Sequence, residues 1–241
     1  DELEEILLLH DPSTVAAVIM EPIAGSGGVL IPPEGYLERI RKICDDYGVL
    51  LILDEVITGF GRTGESFAAE AFQVKADLIT IAKGMTSGMV PMGGVLVRED
   101  IYEAFMTGPE ENIEFFHGYT YSGHPLAAAA GLATLTVYEE EGLFARAKSL
   151  APILEEELQT IKGCPYVIDI RNYGLLGAVE LQPIEGKPTA RATGVFRQCF
   201  DNGLLVRTTG DTIALCPPLI ASEDQVRTVV AKLKESLNSI D

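Results

Sequence analysis

Two short, unbroken apolar runs, each ending in a charged residue, most constrain the fold of this chain. The run at 50–53 leads into Asp54, and the run at 78–82 leads into Lys83. Runs of this length that end in a charge are typical of the central strands of a parallel sheet. In open α/β sheets, ligands bind beyond the carboxyl ends of the strands. The sequence therefore predicts a carboxylate and an amine at the edge of the sheet where a ligand binds.

Lys83 and Asp54 together indicate a particular chemistry. An amine next to an acid at such an edge suggests Schiff-base chemistry on a carbonyl cofactor, with the acid holding a proton elsewhere on the ring. The apolar residues before Lys83 would partly desolvate its amine and favour the neutral, nucleophilic form. Gly84, Gly88 and Gly93 follow, and glycines let the backbone approach a ligand closely. Without this setting, a solvated lysine is the ordinary interpretation.

Asp54 by itself has two other interpretations. An acid after four aliphatic residues also fits the magnesium-binding aspartate of P-loop nucleotidases, but those need a phosphate loop ending in Gly-Lys-Ser/Thr. The only Gly-Lys pair in the sequence, Gly186-Lys187, is followed by Pro188. The second interpretation is structural, because many α/β strands end in an aspartate that caps a helix. The pairing with Lys83 favours the functional role.

The pattern of elements changes once along the chain. The 241 residues, 47% of them hydrophobic, are enough for one large domain or for one and a half. Up to about residue 142, strands alternate with helices, which predicts a parallel, doubly wound sheet. Beyond it, short strands are separated by turns, and a capping box of Ser222 and Gln225 opens a last helix. We therefore predict a large domain at 1–142 and a smaller α+β domain at 143–241.

Charge and hydropathy argue against several classes of function. The net charge of −18 argues against nucleic acid or an anionic membrane as partner, because phosphate binding needs clusters of Lys and Arg. The apolar stretches are strand-sized, so we expect no membrane span, and we expect no secretory leader. The chain begins at Asp1 without a methionine, and we expect it to be a piece of a longer protein.

The cysteines and histidines predict neither a disulfide framework nor a metal site. The four cysteines are widely spaced and form no CxxC pair, as expected for a reduced, cytoplasmic protein. The histidines have no third ligand at a spacing typical of metal sites. These residues are Cys44, Cys164, Cys199 and Cys216, with His10, His117 and His124.

Thr120 is a candidate phosphate-binding residue. It lies in a Gly-Tyr-Thr-Tyr-Ser-Gly loop that precedes a predicted helix. Hydroxyl and backbone N–H groups before a helix suit a phosphate group. Such loops are also common helix caps, so the loop alone does not decide between the two roles.

Four blocks, in order along nearly the whole chain, resemble one family. The segment at 51–64 contains Asp54-Glu-Val-Ile-Thr-Gly-Phe-Gly-Arg-Thr-Gly, and the segment at 76–84 ends in Ile-Ala-Lys83-Gly. They are followed by Met-Gly-Gly-Val at 92–95 and by His-Gly-Tyr-Thr120-Tyr-Ser-Gly-His-Pro at 117–125. These blocks resemble the class III aminotransferases, pyridoxal-phosphate enzymes of fold type I. The resemblance implies an α/β fold, with the C-terminal part of a large, mostly parallel-sheet domain and a small α+β domain.

The resemblance implies roles for four residues. Lys83 would bind pyridoxal 5'-phosphate covalently, and Asp54 would pair with the pyridine nitrogen. Val56 would pack on one face of the cofactor ring. Thr120 would bind the cofactor phosphate of the neighbouring subunit in a dimer.

Arg207 indicates which subgroup of the class III aminotransferases the chain resembles. Members that use 2-oxoglutarate commonly carry an arginine just before a Phe-Ala-Pro-Pro-like stretch of the small domain, and Ala214 stands at that place here. Arg207, in Leu-Leu-Val-Arg-Thr-Thr-Gly, instead resembles the mobile, carboxylate-binding arginine of the omega-amino acid–pyruvate aminotransferases. The ordinary alternative for Arg207 is a surface arginine at a strand end.

The resemblance therefore implies a transaminase that moves an amino group from an omega-amino acid or amine to pyruvate, as a homodimer or a dimer of dimers. Another class III activity (aminomutase, decarboxylase or racemase) would use the same lysine and aspartate. A non-catalytic dimerisation module is the alternative outside enzymes. Complete members carry further residues before this segment, including a Gly-Ser-rich phosphate loop, so we expect this C-terminal portion to be inactive when isolated.

Overall fold

The structure, a computed structural model, describes residues 2–112 and 115–240. Its helices are α1 Glu2–His10, α2 Tyr36–Tyr47, α3 Ala68–Ala71, α4 Glu99–Glu103, α5 Pro125–Glu140, α6 Leu143–Gln159, α7 Ala190–Asp201 and α8 Glu223–Asn238. Its strands are β1 Ala17–Met20, β2 Leu50–Asp54, β3 Leu78–Ile81, β4 Gly94–Val97, β5 Val167–Tyr173, β6 Leu176–Leu181, β7 Arg207–Thr209 and β8 Thr212–Leu215. The turn Lys83–Thr86 is a short 3-10 helix.

Tertiary contacts divide the chain into two compact units. The first contains the chain up to Glu21, together with Glu34–Ile57 and Phe72–Glu141. The second contains Pro22–Pro33, Thr58–Ala71 and the chain from Gly142 onward.

The first unit is built on a four-stranded sheet of order β1-β2-β3-β4. Strands β1, β2 and β3 are parallel, whereas β4 pairs with β3 in the antiparallel sense. The connection from β3 to β4 contains a short 3-10 turn and not the crossover helix that usually joins a parallel pair. One face of β2 is fully buried at Leu51 and Leu53. Helix α2 packs against β2, and its buried residues include Leu37 and Ile43.

The second unit contains a four-stranded antiparallel sheet of order β5-β6-β8-β7. Helix α8 packs against α6 and α7, and α6 and α7 pack against this sheet. Helix α8 begins with the predicted capping box, since Ser222 and Gln225 exchange side-chain and backbone hydrogen bonds. The buried positions of α8 recur at helical spacing, Val226, Val230, Leu233 and Leu237. Helices packed on a separate antiparallel sheet give this part of the chain its predicted α+β character.

Two early segments, Pro22–Pro33 and Thr58–Ala71, belong to the second unit. The Arg171 guanidinium donates to the Gly28 carbonyl at 2.9 Å, and the Thr209 hydroxyl donates to the Ser26 carbonyl at 2.9 Å. The Leu175 N–H donates to the Arg62 carbonyl at 2.9 Å. These bonds join residues more than a hundred positions apart, so the local pattern of the sequence does not reveal them.

Within the described ranges, we find no helix with the length and apolar character needed to cross a membrane.

Candidate functional site

Asp54 is the last residue of β2, where the chain leaves the first sheet. Its carboxylate Oδ1 accepts a hydrogen bond from the Val56 N–H at 3.0 Å, which forms a tight turn after the strand. Among the described residues, its second oxygen, Oδ2, has no hydrogen-bond partner. One oxygen of Asp54 is therefore held by the backbone, and the other can accept a hydrogen bond from a bound ligand.

Lys83 lies just beyond the end of the neighbouring strand. Strands β2 and β3 are parallel, and their last registered pair is Asp54 with Thr80. Lys83 follows Thr80 by three residues and opens the 3-10 turn. The carboxylate and the amine are therefore at the same carboxyl edge of the sheet, on adjacent strands, as the apolar runs predicted.

The side chain of Lys83 is exposed in this chain, so the expected partial desolvation of its amine is not observed. The turn buries Thr86 instead, at 1% exposure, and the Thr86 hydroxyl donates to the Val90 carbonyl at 2.6 Å. The apolar residues before Lys83 are part of strand β3. Their side chains pack on the faces of the sheet and do not shield the amine, which lies beyond the end of the strand.

The backbone of Lys83 is strained. Its φ is 43°, in the left-handed region that non-glycine residues adopt uncommonly. Three backbone hydrogen bonds hold this turn: Met85 N–H to Ala82 O at 3.0 Å, Ser87 N–H to Gly84 O at 3.2 Å and Gly88 N–H to Lys83 O at 3.0 Å. Strained residues that the surrounding structure holds this firmly concentrate at functional sites.

Thr80 is a functional candidate that the sequence analysis did not identify. It is the register partner of Asp54, so both side chains stand on the same face of the sheet. Its hydroxyl oxygen is buried, and it has no hydrogen-bond partner in the described part of the chain. A buried hydroxyl without a partner costs about 1–3 kcal/mol. An acceptor at Asp54, a hydroxyl at Thr80 and an amine at Lys83 together fit a ring that offers a protonated nitrogen and a carbonyl group.

Helix α5 packs against the turn that carries Lys83. The Tyr138 hydroxyl donates to the Gly84 carbonyl at 2.6 Å. A Cβ atom added to Gly131 of the same helix would lie 3.7 Å from the Met85 carbonyl oxygen, in ordinary van der Waals contact. Tyr138 is the only aromatic residue of an alanine-rich helix. This isolated aromatic residue is the one feature of the sequence that could have indicated a specific contact between the helix and the turn.

Thr120 lies in an exposed turn before α5. The loop is closed by the Ser122 side chain, which accepts from the Tyr119 N–H at 3.0 Å, and His124 caps the helix by accepting from the Leu126 N–H at 3.2 Å. Among the described residues, no hydrogen bond joins Thr120 to Lys83 or Asp54. The structure therefore does not bring Thr120 into the site formed by these two residues.

Arg207 belongs to the second unit, where it opens β7 with its side chain exposed. It lines an open groove of about 990 Å³ within that unit. The lining is largely apolar and includes Leu205, Ala214 and Ile220, with Lys232 as a second cation. A guanidinium at such a surface can bind a carboxylate in a bidentate fashion.

Asp77 anchors the opposite end of the two strands that carry the site. It is 4% exposed, and its Oδ2 accepts from the Leu51 N–H at 2.7 Å and from the Arg41 guanidinium at 2.8 Å, while Arg98 bonds its Oδ1. Burial opposes ionisation, but the hydrogen bonds from Leu51 and Arg41 lower the pKa of the Asp77 carboxyl below its usual value. Asp77 thereby ties β2, α2 and the end of β4 to the start of β3.

No group of three or more His, Cys, Asp or Glu side chains suited to a metal ion is found within residues 2–112 and 115–240.

The fold is that of the fold type I transferases, and the strand-end lysine and aspartate lie at the carboxyl edge of its first sheet. Residues 1–237 match the family model of class III aminotransferases, and the chain belongs to that family. It is 55% identical over 241 residues to an omega-aminotransferase of Caulobacter vibrioides, covering 100% of this chain and 55% of that protein. It is 46% identical over 242 residues to a beta-alanine–pyruvate aminotransferase of Pseudomonas aeruginosa, covering 100% of this chain and 54% of that protein.

Solved structures show the same fold. A structure of a transaminase with L-ala has a TM-score of 0.94 at 36% identity, covering 99% of this chain and 57% of that one. A transaminase from the marine bacterium Virgibacillus has a TM-score of 0.89 at 41% identity, covering 98% of this chain and 55% of that one. The chain spans about half the length of the curated relatives it matches.

Proposed function

We propose that this chain is the C-terminal portion of a pyridoxal-phosphate-dependent transaminase that moves an amino group from an omega-amino acid or amine to pyruvate. The observation that carries the proposal is the placement of Asp54 and Lys83 at the carboxyl ends of adjacent parallel strands. Membership of the class III aminotransferases supports it. So do the names of three relatives, which are aminotransferases for beta-alanine, omega-amino acids and putrescine, each with pyruvate.

Pyridoxal 5'-phosphate, when bound, supplies the electron sink that makes removal of a proton from the amino carbon feasible. Asp54 would accept a hydrogen bond from the protonated pyridine nitrogen with Oδ2 and so favour the charged ring. The N–H of Val56 fixes the other oxygen of Asp54, and the Val56 side chain would pack on the ring.

Lys83 would hold the cofactor covalently through its amine. The same amine, when it is not bonded to the cofactor, would act as the base that takes the proton from the amino carbon of the substrate and as the acid that gives it up again.

Arg207 would bind the carboxylate of the acceptor. Pyruvate presents a single carboxylate, and a bidentate guanidinium is its natural partner. An acceptor with a second carboxylate needs a second cation. Relatives that use 2-oxoglutarate commonly carry an arginine at the position of Ala214, whereas the other cation of this groove, Lys232, donates its amine to the Asn202 carbonyl at 2.8 Å.

We also propose a homodimer or a dimer of dimers in which Thr120 binds the cofactor phosphate of the neighbouring subunit. The loop around Thr120 exposes large apolar side chains, with Phe116 at 95%, Tyr119 at 79% and Tyr121 at 79%. Several large, exposed apolar side chains in one loop favour a contact surface for another protein. Burying it in a subunit interface would also place the exposed Thr120 against a second chain.

The function is tested by following transfer of an amino group from beta-alanine to pyruvate in the full-length protein. We expect alanine to form with the wild type and transfer to be abolished in Lys83→Ala. Lys75→Ala removes another exposed lysine of the same unit and should leave the rate unchanged. Undiminished transfer by Lys83→Ala, or none by the wild type, would refute the proposal. Formation of a rearranged, decarboxylated or racemised product would favour another class III activity.

A further inference from the structure

Tyr138 lies more than fifty positions after Lys83 in the sequence but contacts the turn that carries it. Its hydroxyl donates to the Gly84 carbonyl at 2.6 Å, and Gly84 is the residue immediately after Lys83. The same carbonyl accepts the Ser87 N–H at 3.2 Å. The Tyr138 bond is therefore a second attachment at the point where the backbone leaves the strained residue.

The packing of α5 on the turn makes this contact a rigid one. Gly131 lies two helical turns before Tyr138 on α5, and it too faces the turn, near the Met85 carbonyl and the Met92 sulfur. Residues seven apart lie on the same face of a helix. Two points of one helix face thus contact the turn, so the position of the Gly84 carbonyl is fixed relative to a sixteen-residue helix.

The backbone of Lys83 needs such support. Its φ of 43° is unfavourable for a residue with a side chain, and this conformation persists only where neighbouring contacts hold it. If the Gly84 carbonyl is released, the turn can relax towards ordinary φ values, and the Lys83 side chain then leaves the strand end at a different angle.

We infer that Tyr138 is a positioning residue for Lys83: its hydrogen bond to Gly84 holds the turn in the conformation that presents the lysine amine to the cofactor. This inference rests on the proposed function, because it assigns Lys83 the covalent attachment. Tyr138 acts on Lys83 through the backbone of the turn in this assignment and takes no part in proton transfer.

Tyr138→Phe tests the inference because phenylalanine keeps the ring and removes only the hydroxyl. The matched control is Tyr47→Phe, since the Tyr47 hydroxyl also makes a hydrogen bond in the first unit, to Glu4 Oε1 at 3.0 Å, but on a different helix pair. Both variants lose one hydrogen bond, so a general effect on stability should appear in both thermal unfolding temperatures.

Two measurements separate positioning from stability in the full-length protein. Amide hydrogen exchange of the cofactor-free protein should be several-fold faster in the peptide at 82–90 in Tyr138→Phe and unchanged there in Tyr47→Phe. Titration with pyridoxal 5'-phosphate, followed by visible absorbance, should give a dissociation constant raised about three- to tenfold in Tyr138→Phe only.

A dissociation constant for Tyr138→Phe within twofold of wild type would overturn the inference, as would an equal rise in Tyr47→Phe. If the wild type itself fails to bind the cofactor, the proposed function fails and the role of Tyr138 towards the cofactor fails with it. The two failures can be told apart, because the hydrogen-exchange measurement needs no cofactor. It reports whether Tyr138 holds the turn even if the wild type does not bind pyridoxal 5'-phosphate.

Discussion

Arg207 and Ala214 are direct partners across the antiparallel pair of β7 and β8. Directly opposed side chains share one face of a sheet, with Cβ atoms about 4.5–5.5 Å apart. An arginine at 214 would therefore stand beside Arg207, and like charges in opposed positions destabilise a strand pair. Ala214 leaves the Arg207 guanidinium free of such a neighbour on that strand. Arg207 and Ala214 thus form a single feature of the groove.

This relationship leads to a prediction about the acceptor. We expect the full-length protein to prefer pyruvate strongly over 2-oxoglutarate. Losing a desolvated, charge-assisted pair costs about 2–5 kcal/mol, so Arg207→Ala should lower kcat/KM for pyruvate by roughly two orders of magnitude. Half-reactions with amines that lack a carboxylate should change much less. Equal turnover with 2-oxoglutarate, or unchanged pyruvate kinetics in Arg207→Ala, would show that another arginine binds the acceptor.

Asp54→Asn removes the negative charge of the aspartate and keeps its shape, so it tests the role of the charge alone. Asparagine still accepts a hydrogen bond from the Val56 N–H, so the turn after β2 should be kept. It no longer stabilises a protonated pyridine nitrogen, and we expect the proton-transfer step to slow by roughly two orders of magnitude or more. Stopped-flow absorbance of the half-reaction measures that step. Asp54→Glu should retain part of the activity, whereas a near wild-type rate in Asp54→Asn would reduce Asp54 to a structural turn residue.

Thr80→Val removes the buried hydroxyl that lacks a partner beside Asp54. Without cofactor, we expect the variant to gain about 1 kcal/mol in unfolding free energy, because an unsatisfied polar group is no longer buried. With cofactor, the dissociation constant should rise, since the hydroxyl would be satisfied at the loaded site. Urea unfolding and absorbance titration measure the two effects. Thr134→Val is the control, because its hydroxyl already donates to the Ala130 carbonyl at 2.8 Å. Lower stability of cofactor-free Thr80→Val would contradict this account.

Asp77 predicts how stability depends on pH. Its pKa in the folded protein is lowered by the hydrogen bonds from Leu51 and Arg41, against the opposing effect of burial. A lowered folded pKa means that the carboxylate contributes stability above its unfolded pKa, about 3.9, and loses that contribution as pH falls through the folded value. Asp77→Asn should lower the unfolding free energy by about 3–5 kcal/mol at pH 7. The difference from wild type in urea midpoint should shrink below about pH 4. A difference that stays constant down to pH 3 would contradict the assignment.

The parts of the molecule predicted from sequence are those encoded by local patterns. The apolar runs before Asp54 and Lys83 predicted two parallel strands, and these strands are adjacent in the sheet. Ser222 predicted the start of α8 through its capping box. Both are set by residues within a few positions of each other, where periodicity and capping chemistry act.

The parts that were not predicted depend on contacts between distant residues. The bond from Arg171 to Gly28 spans 143 positions and assigns an early loop to the second unit. The bond from Tyr138 to Gly84 spans 54 positions, and neither tyrosine nor glycine at those places follows from a local rule. The packing around Lys83 is also not encoded locally, because the apolar residues before it lie in β3 and its own side chain lies beyond the strand.

Chemical trapping of the cofactor identifies the lysine to which it is attached. The full-length protein, loaded with pyridoxal 5'-phosphate, is reduced with borohydride, digested and mapped by mass spectrometry. We predict that the pyridoxyl group is on Lys83, and that Lys83→Ala carries none. A pyridoxyl group on any other lysine, or no labelled lysine in a protein that transaminates, would contradict the account.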